Sequence, residues 1–259
     1  MLAQQIRKIV LEQSKRAHVG HIGSALSIAD ILACLYEDIL RIPALDDLDR
    51  DRFILSKGHA ALALYAVLHL KGWIDEKTLN SFHSDGTLLG VHPECALSGV
   101  DFSTGSLGHG LSFGVGAALA AQMQRSNRRI FVLISDAECN EGSTWEAVMF
   151  AAHHRLSNLT AIIDLNGQQA LGYTKDVLAL PDMLGRWNSF GWNAREVDGH
   201  DGAALHEALV DDKSGSSMPH VIVARTIFGK GVSFMENQIK WHYLPMSDEQ
   251  YTLAMKEQN

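Results

Sequence analysis

Two short apolar runs separated by a helical pattern constrain the fold of this chain more than any other feature. The runs are IFVLIS at 130–135 and LTAIID at 159–164, and apolar residues recur at helical spacing between them, at 143–155. Branched apolar runs of this length are typical of parallel strands that are covered on both faces. Since parallel strands joined by a helix form a right-handed crossover, this segment predicts one unit of a parallel sheet with helices packed against it.

The same alternation of strand and helix patterns extends along the chain. It predicts an α/β fold in which a doubly wound, mostly parallel sheet carries helices on both faces. With 259 residues the chain has the length for one substantial core, so we expect a single domain covering 1–259 with a C-terminal extension. The further strand patterns lie at 52–56 and 220–226, and the helical patterns lie at 3–17, 28–40, 59–71, 109–125 and 202–211.

The composition narrows the range of functions. A formal net charge of −8 argues against general binding to nucleic acid, which needs a basic surface, but it does not exclude a phosphorylated substrate. No apolar run approaches the length of a membrane span. Cys34, Cys95 and Cys139 are odd in number and far apart, so neither a disulfide framework nor a zinc site is indicated. Because the first residues show no export signal, we expect a cytoplasmic protein.

One carboxylate and one side-chain amide follow the two apolar runs. Asp136 comes directly after the first run, and Asn166 lies two residues after the second. Ligands of open α/β sheets bind outside the carboxyl ends of the strands, so we expect both side chains at one edge of the sheet. Together with a nearby backbone carbonyl they form an oxygen-only donor set that suits Mg²⁺ or Ca²⁺. The alternative is purely structural: Asp136 caps the following helix and Asn166 closes a turn before Gly167.

Two loops stand out between these patterns, one at 84–110 and one at 212–219. A loop as long as the first is usually functional or disordered, and its glycines and histidines favour function. Its end, TGSLGHGLSFGVGAALA at 104–120, opens a helix. The glycines there allow close approach to an anion or, at Gly114 and Gly116, tight helix packing. Their spacing is not a dinucleotide fingerprint, which disfavours a nicotinamide enzyme.

Several of the 13 histidines lie beside or close to glycine. A histidine in such a loop can reach a ligand and exchange a proton near neutral pH. Any one of them is more often a surface or capping residue, so the pattern favours a site only because several occur together. These histidines are His21, His59, His92, His109 and His200.

Seven motifs in a fixed order resemble the N-terminal, diphosphate-binding domain of transketolase. The resemblance runs from about residue 5 to residue 245, nearly the whole chain, and is far more specific than any single site. The motifs are GHIGSALSIADIL, DRDRFILSKGHAALALYAVL, GVHPE, GVDFSTGSLGHGLSFGVGAALA, DAECNEGSTWEAVMFAAHHRLSNLTAIIDLNGQQ, VDGHD and TIFGKGVSFMEN.

The resemblance implies that the chain holds thiamine diphosphate through a divalent cation. The cation would be Mg²⁺, for which Ca²⁺ or Mn²⁺ can substitute. Its ligands would be the side chains of Asp136 and Asn166 and the backbone carbonyl of Gln168. His59 and His242 would contact the diphosphate of the cofactor.

The resemblance also assigns roles around the rest of the cofactor and the substrate. The backbone of Ala137 would approach the diphosphate, and main-chain groups of Gly105 and Leu107 would line the aminopyrimidine side. His21 and His92 would face the carbonyl and hydroxyl groups of the substrate and assist proton transfer.

The resemblance further implies a partner chain. Full transketolases continue into a pyrimidine-binding domain and a C-terminal domain, whereas this chain stops at Asn259. We therefore expect the small subunit of a split transketolase in an α2β2 heterotetramer, which transfers a two-carbon ketol unit from a sugar or sugar phosphate to an aldehyde. Glu141 would join an acidic network at the subunit interface near the aminopyrimidine. The expected catalytic set is His21, His59, His92, His242 and Glu141.

This chain departs from the family's pattern at four positions. Ser135 and Ala137 replace the glycines of the usual Gly-Asp-Gly, Phe228 stands where a lysine is common, and His109 stands where glutamine is common. These changes suggest a specialised member. Two alternatives stay open: a thiamine enzyme that forms a different carbon–carbon bond, of the deoxyxylulose-phosphate or acyloin synthase type, and a non-catalytic regulatory subunit.

Overall fold

One parallel sheet forms the centre of the molecule. The computed structural model describes residues 2–210 and 217–258. Its strands are β1 (Arg52–Leu55), β2 (Ile130–Ser135), β3 (Leu159–Leu165), β4 (Gln168–Gln169), β5 (Gly172–Tyr173), β6 (Asn193–Asp198) and β7 (His220–Arg225). Strands β1, β2, β3, β7 and β6 lie side by side in that order and are all parallel, while β4 and β5 form a small antiparallel hairpin. The prediction of a mostly parallel α/β sheet is confirmed.

Alternate residues of each central strand point into two separate apolar cores. In β2, Phe131 and Leu133 belong to one core, whereas Ile130, Val132 and Ile134 belong to the other. All residues of this strand are buried. Both faces of the sheet are therefore covered, which is why the strand has an unbroken apolar run rather than a polar alternation.

Helices supply the other half of each core. They are α1 (Leu2–Ala17), α2 (Ile22–Ser27), α3 (Ala29–Cys34), α4 (Ala61–Leu70), α5 (Glu76–Leu79), α6 (Gly110–Met123), α7 (Gly142–His153), α8 (Thr174–Val177), α9 (Met183–Ser189), α10 (Gly202–Val210) and α11 (Asp248–Glu257). Helices α6, α7 and α9 cover the face that contains Val132, and α1, α3, α4 and α10 cover the opposite face. The doubly wound arrangement is thus confirmed. None of the described helices is long and apolar enough to cross a membrane.

Several regular elements escape the sequence patterns, namely the helices α2, α5, α8, α9 and α11 and the strands β4, β5 and β6. Strand β6 lies at one edge of the sheet, and only Ala194 and Val197 of its residues are partly buried. It therefore lacks the apolar run that marks the central strands. Helix α11 was missed although the sequence marks its start, because Ser247 and Gln250 have the spacing of a capping box and form one in the structure. The region between α5 and α6 has neither helix nor strand, as predicted, and most of the loop predicted at 212–219 lies outside the described residues.

Two glycines of α6 offer a matched test of how closely this helix packs on the sheet. A Cβ atom on Gly114 would lie 2.4 Å from Cγ2 of Val132, whereas one on Gly116 would meet no atom within 4 Å. We expect Gly114→Ala to lower the free energy of unfolding by about 1–3 kcal/mol, because buried side chains must move. Gly116→Ala should be neutral or stabilising by up to about 1 kcal/mol, since alanine favours a helix. Urea unfolding of both variants measures the difference, and equal effects would contradict the packing role of Gly114.

Candidate functional site

One pocket of about 210 Å³ lies at the carboxyl ends of the central strands. Lys57 and Phe228 contribute to its wall beside residues that the sequence predicts. Asp136 and Glu141 are the predicted site residues that do not line it. The predicted residues that do are His21, His59, His92, Gly105, Leu107, Ala137, Asn166, Gln168 and His242.

Asp136 links the ends of β2 and β3. One of its carboxylate oxygens accepts a hydrogen bond from the backbone N–H of Ala137 and the other accepts one from Gly167, each at 2.8 Å. Oδ1 of Asn166 accepts a hydrogen bond from the backbone N–H of Gln168 at 2.9 Å. The capping and turn contacts of the structural alternative are thus present. These contacts leave acceptor positions free on Asp136 and Asn166, because a carboxylate offers about four such positions and a side-chain carbonyl two.

The surroundings of Asp136 favour a cation. Burial raises the pKa of Asp136 to about 7, and the nearby charge of Asp164 acts in the same direction. A positive ion would stabilise the charged form of this carboxylate. Within residues 2–210 and 217–258, no group of three or more His, Cys, Asp or Glu side chains could hold a metal ion. Metal binding here would therefore depend on mixed oxygen donors, as in the predicted set of a carboxylate, an amide and a backbone carbonyl.

The residues that flank Asp136 fit the backbone without strain. Neither Ser135 nor Ala137 has a positive φ, so the local conformation does not require glycine at either position. Ala137 begins a short 3₁₀ helix, Ala137–Asn140, and still lines the pocket. The loss of both flanking glycines therefore does not disturb the turn that carries the carboxylate.

Three imidazole rings that line the pocket lie close together. The ring centroid of His21 lies 5.5 Å from that of His59 and 5.1 Å from that of His242, and the last two are 5.6 Å apart. Nε2 of His59 is hydrogen-bonded to the Ser24 hydroxyl at 2.8 Å. Phe228 stacks on His242 at 5.9 Å, so the departure from lysine places an apolar ring against this cluster.

Burial favours the neutral form of these three imidazoles. Burial lowers the pKa of His59 well below its ordinary value, and the charge of Lys57 adds to the effect. Burial, with His21 as a second cause, lowers the pKa of His242 to about 4. Burial and the neighbouring His92 also lower the pKa of His21. Each ring can therefore donate one hydrogen bond and accept another, which suits the binding of phosphate and hydroxyl groups.

Several buried polar atoms of the pocket have no hydrogen-bond partner within the described chain. They include Nδ1 of His21, Nδ1 of His242 and both side-chain amide atoms of Gln168. Unpaired buried polar atoms are costly, so a polar ligand that satisfied them would be stabilised. The pocket thus fits a phosphorylated cofactor with a bound cation.

The glycine-rich loop packs directly against the turn that follows β1. A Cβ atom on Gly58 would lie 3.0 Å from the carbonyl oxygen of Thr104, so the two backbones approach closely. Gly105 lies against the exposed ring of His92. The sequence reasoning missed Glu138, which is fully buried and accepts a hydrogen bond from the backbone N–H of Gly108 at 3.0 Å. This contact fixes the loop that carries Gly105 and Leu107.

Glu141 is placed differently from the other predicted residues. It is exposed at the start of α7, and its side chain does not cap that helix. It still adjoins the glycine-rich loop, because a Cβ atom on Gly108 would lie 2.7 Å from Cβ of Glu141. Its role at a subunit interface stays a prediction.

Two glycine-flanked histidines lie outside the pocket. His109 is exposed at the start of α6. His200 contacts Asp30 through Nδ1 at 2.7 Å and accepts a hydrogen bond from the backbone N–H of Ile227 at 2.8 Å. A neighbouring glycine is therefore not sufficient to identify a site histidine.

Comparison with known families gives a match over almost the entire chain. Residues 1–258 match the family model described as transketolase, thiamine diphosphate binding domain. The chain belongs to the transketolase family. The fold is thus that of a transketolase thiamine diphosphate-binding domain.

Curated relatives of similar length are transketolase subunits. An apulose-4-phosphate transketolase subunit of Phocaeicola vulgatus is 39% identical over 98% of this chain and 92% of its own. The 6-deoxy-6-sulfo-D-fructose transketolase subunit SqwG of a Clostridium species is 39% identical over 98% of this chain and 94% of its own.

Solved transketolases share the fold over a part of their length. The transketolase of Campylobacter jejuni has a TM-score of 0.94 and 30% identity, and the match covers 99% of this chain but 42% of that one. The transketolase of Leishmania mexicana has a TM-score of 0.92 and 29% identity, with 40% of that chain covered. This transketolase-family chain therefore spans about two fifths of the solved enzymes that it matches.

Proposed function

We propose that this chain is the N-terminal, thiamine diphosphate-binding subunit of a two-chain transketolase. It would transfer a two-carbon ketol unit from a ketose, in phosphorylated form, to an aldehyde acceptor. The observation that carries the proposal is the strand-end pocket, which Asn166, Gln168 and three histidines of lowered pKa line, in a chain that matches subunits of transketolases almost end to end. We infer that residues 1–259 act as one domain with a C-terminal extension, in the cytoplasm.

The metal site would use Asp136, Asn166 and the carbonyl of Gln168. These groups follow adjacent strands, and the raised pKa of Asp136 supports a role beside a cation. Mg²⁺ prefers such oxygen ligands and keeps further positions for phosphate oxygens and water, and Ca²⁺ or Mn²⁺ could take its place. His59 and His242 would then hydrogen-bond the diphosphate, near the backbone N–H of Ala137.

The remaining pocket residues would bind the reacting end. Main-chain groups of Gly105 and Leu107 would line the aminopyrimidine side. Thiamine diphosphate, when bound, supplies a carbon nucleophile and an electron sink for cleavage of the ketose. His21 and His92 would orient the sugar by hydrogen bonds and exchange protons with its oxygens, as histidines commonly do in general acid–base catalysis.

The partner would be a C-terminal transketolase subunit that carries the pyrimidine-binding and C-terminal domains. The names of the curated relatives, which are subunits, support this arrangement. We propose an α2β2 heterotetramer in which the exposed Glu141 lies at the interface between subunits.

Product analysis with two donors tests the proposed reaction. The complex of this chain with its partner, supplied with thiamine diphosphate and Mg²⁺, should convert a ketose phosphate and an aldehyde into a sugar longer by two carbons. Pyruvate should not serve as the donor. Consumption of pyruvate with release of carbon dioxide, and no cleavage of the ketose, would instead indicate the synthase alternative. Cofactor binding without any turnover would indicate the regulatory alternative.

A further inference from the structure

A buried carboxylate that no sequence motif singles out lies next to the candidate metal ligands. Asp164 belongs to β3 and its side chain is inaccessible to solvent. Four groups donate hydrogen bonds to it. Oγ of Ser27 lies 2.8 Å and Nδ2 of Asn166 lies 2.9 Å from its Oδ2, and Nζ of Lys57 and Oγ1 of Thr226 also contact the carboxylate.

The positive charge of Lys57 offsets part of the cost of burying the Asp164 carboxylate. The Lys57 side chain is also inaccessible to solvent, and Nζ donates a second hydrogen bond to the carbonyl oxygen of Ser24 at 3.2 Å. Buried charges persist in proteins when they are paired and hydrogen-bonded, as both of these are. The pair therefore forms a fixed, hydrogen-bonded support next to Asn166, with Lys57 also lining the pocket.

The contact between Asp164 and Asn166 determines which way the amide of Asn166 points. An ionised carboxylate only accepts hydrogen bonds, so it must face the NH₂ group of the amide. The backbone N–H of Gln168 only donates, so it must face the amide oxygen, which lies 2.9 Å away. Asp164 and the backbone N–H of Gln168 therefore select the same orientation of the Asn166 amide. In this orientation Oδ1 of Asn166 points away from Asp164 and can bind a cation.

We propose that Asp164, paired with Lys57, is a positioning residue that fixes the carbonyl oxygen of Asn166 for the cation. The inference rests on the proposed function, because it assigns a role toward the cation of that same site. Asp164 itself accepts hydrogen bonds from four donors and is not part of the proposed ligand set.

The affinity of the complex for Mn²⁺, measured by paramagnetic resonance titration with thiamine diphosphate present, tests this role. Asp164→Asn should weaken Mn²⁺ binding by about tenfold or more, as loss of a group that orients a metal ligand commonly does. Ser27→Ala is the matched control, because it also removes a donor to Asp164 but does not contact Asn166. It should lower the melting temperature and change the Mn²⁺ affinity by less than about twofold.

A double-mutant cycle separates positioning from general damage. In an Asn166→Ala background, Asp164→Asn should weaken Mn²⁺ binding by less than about twofold more, because the residue through which it acts is gone. Additive losses would overturn the inference, and so would unchanged affinity in the Asp164→Asn single variant. If that variant does not fold, Lys57→Met combined with Asp164→Asn removes both buried charges and should show the same loss.

Mn²⁺ binding by the wild-type complex distinguishes a failure of the proposed function from a failure of the positioning role of Asp164. If the complex fails to bind Mn²⁺ together with thiamine diphosphate, the proposed function falls, and this inference falls with it. If it binds both and the cycle is additive, the proposed function stands and the positioning role of Asp164 is wrong.

Discussion

Asp136→Ala should abolish cation-dependent binding of thiamine diphosphate by the assembled enzyme. The variant removes the one carboxylate in the proposed ligand set, whose raised pKa reflects a buried site without sufficient compensating positive charge. Loss of a residue that merely orients a metal ligand weakens binding by about 10–100-fold, so loss of the ligand itself should exceed that range. Calorimetry of the complex with Mg²⁺ and thiamine diphosphate measures the change.

Two further variants control this experiment. Asp136→Asn retains an oxygen that can accept the hydrogen bond from Gly167, so it separates the loss of charge from the loss of shape. It should fold and bind the cofactor far more weakly than the wild type. Asp46→Ala removes an exposed carboxylate elsewhere on the chain and should bind normally. Unchanged cofactor affinity in Asp136→Ala would refute the metal assignment.

The isolated chain should show no ketol transfer above background. No Asp or Glu is found among the described residues that line the pocket, so we expect the proposed partner to supply the group that activates the aminopyrimidine. By resemblance to transketolases, this group would belong to the pyrimidine-binding domain of the proposed partner. Absence of a general base alone costs about 10²–10⁴-fold in rate, and an incomplete pocket adds to that loss.

Reconstitution measures this dependence. The chain is assayed alone with saturating thiamine diphosphate and Mg²⁺ and again after addition of the partner chain, which should restore turnover. The Asp136→Ala chain serves as the control, because it should still assemble with the partner but leave the complex inactive. Robust turnover by the chain alone would show that the partner is not needed.

The strands that the sequence predicts are those whose residues are mostly buried on both faces of the sheet. Strands β2 and β3 are buried on both faces, so their apolar runs identify them and place Asp136 and Asn166 at the same sheet edge. Strand β6 borders solvent and has no such run. Local patterns therefore predict the four buried strands, including β1 at the opposite edge of the sheet, better than the one that borders solvent.

The sequence also predicts some parts of the candidate site better than others. Motif resemblance predicts many of the residues that line the pocket. The hydrogen bonds that hold these residues in place join partners that are distant in sequence. Lys57 and Asp164 are 107 positions apart, and neither neighbourhood predicts the other. Glu138 likewise meets the Gly108 backbone 30 positions away. Such contacts are set by the tertiary structure, which no spacing rule describes.

The bridge made by Asp136 has a consequence for the thermodynamics of binding. Its two carboxylate oxygens are hydrogen-bonded to the backbones that follow β2 and β3, so the separation of the two strand ends is already set in the free chain. A ligand that enters there does not have to immobilise two independent turns. Such preorganisation reduces the conformational entropy lost on binding. The two strand ends can therefore bind a small, highly charged group without a prior ordering step.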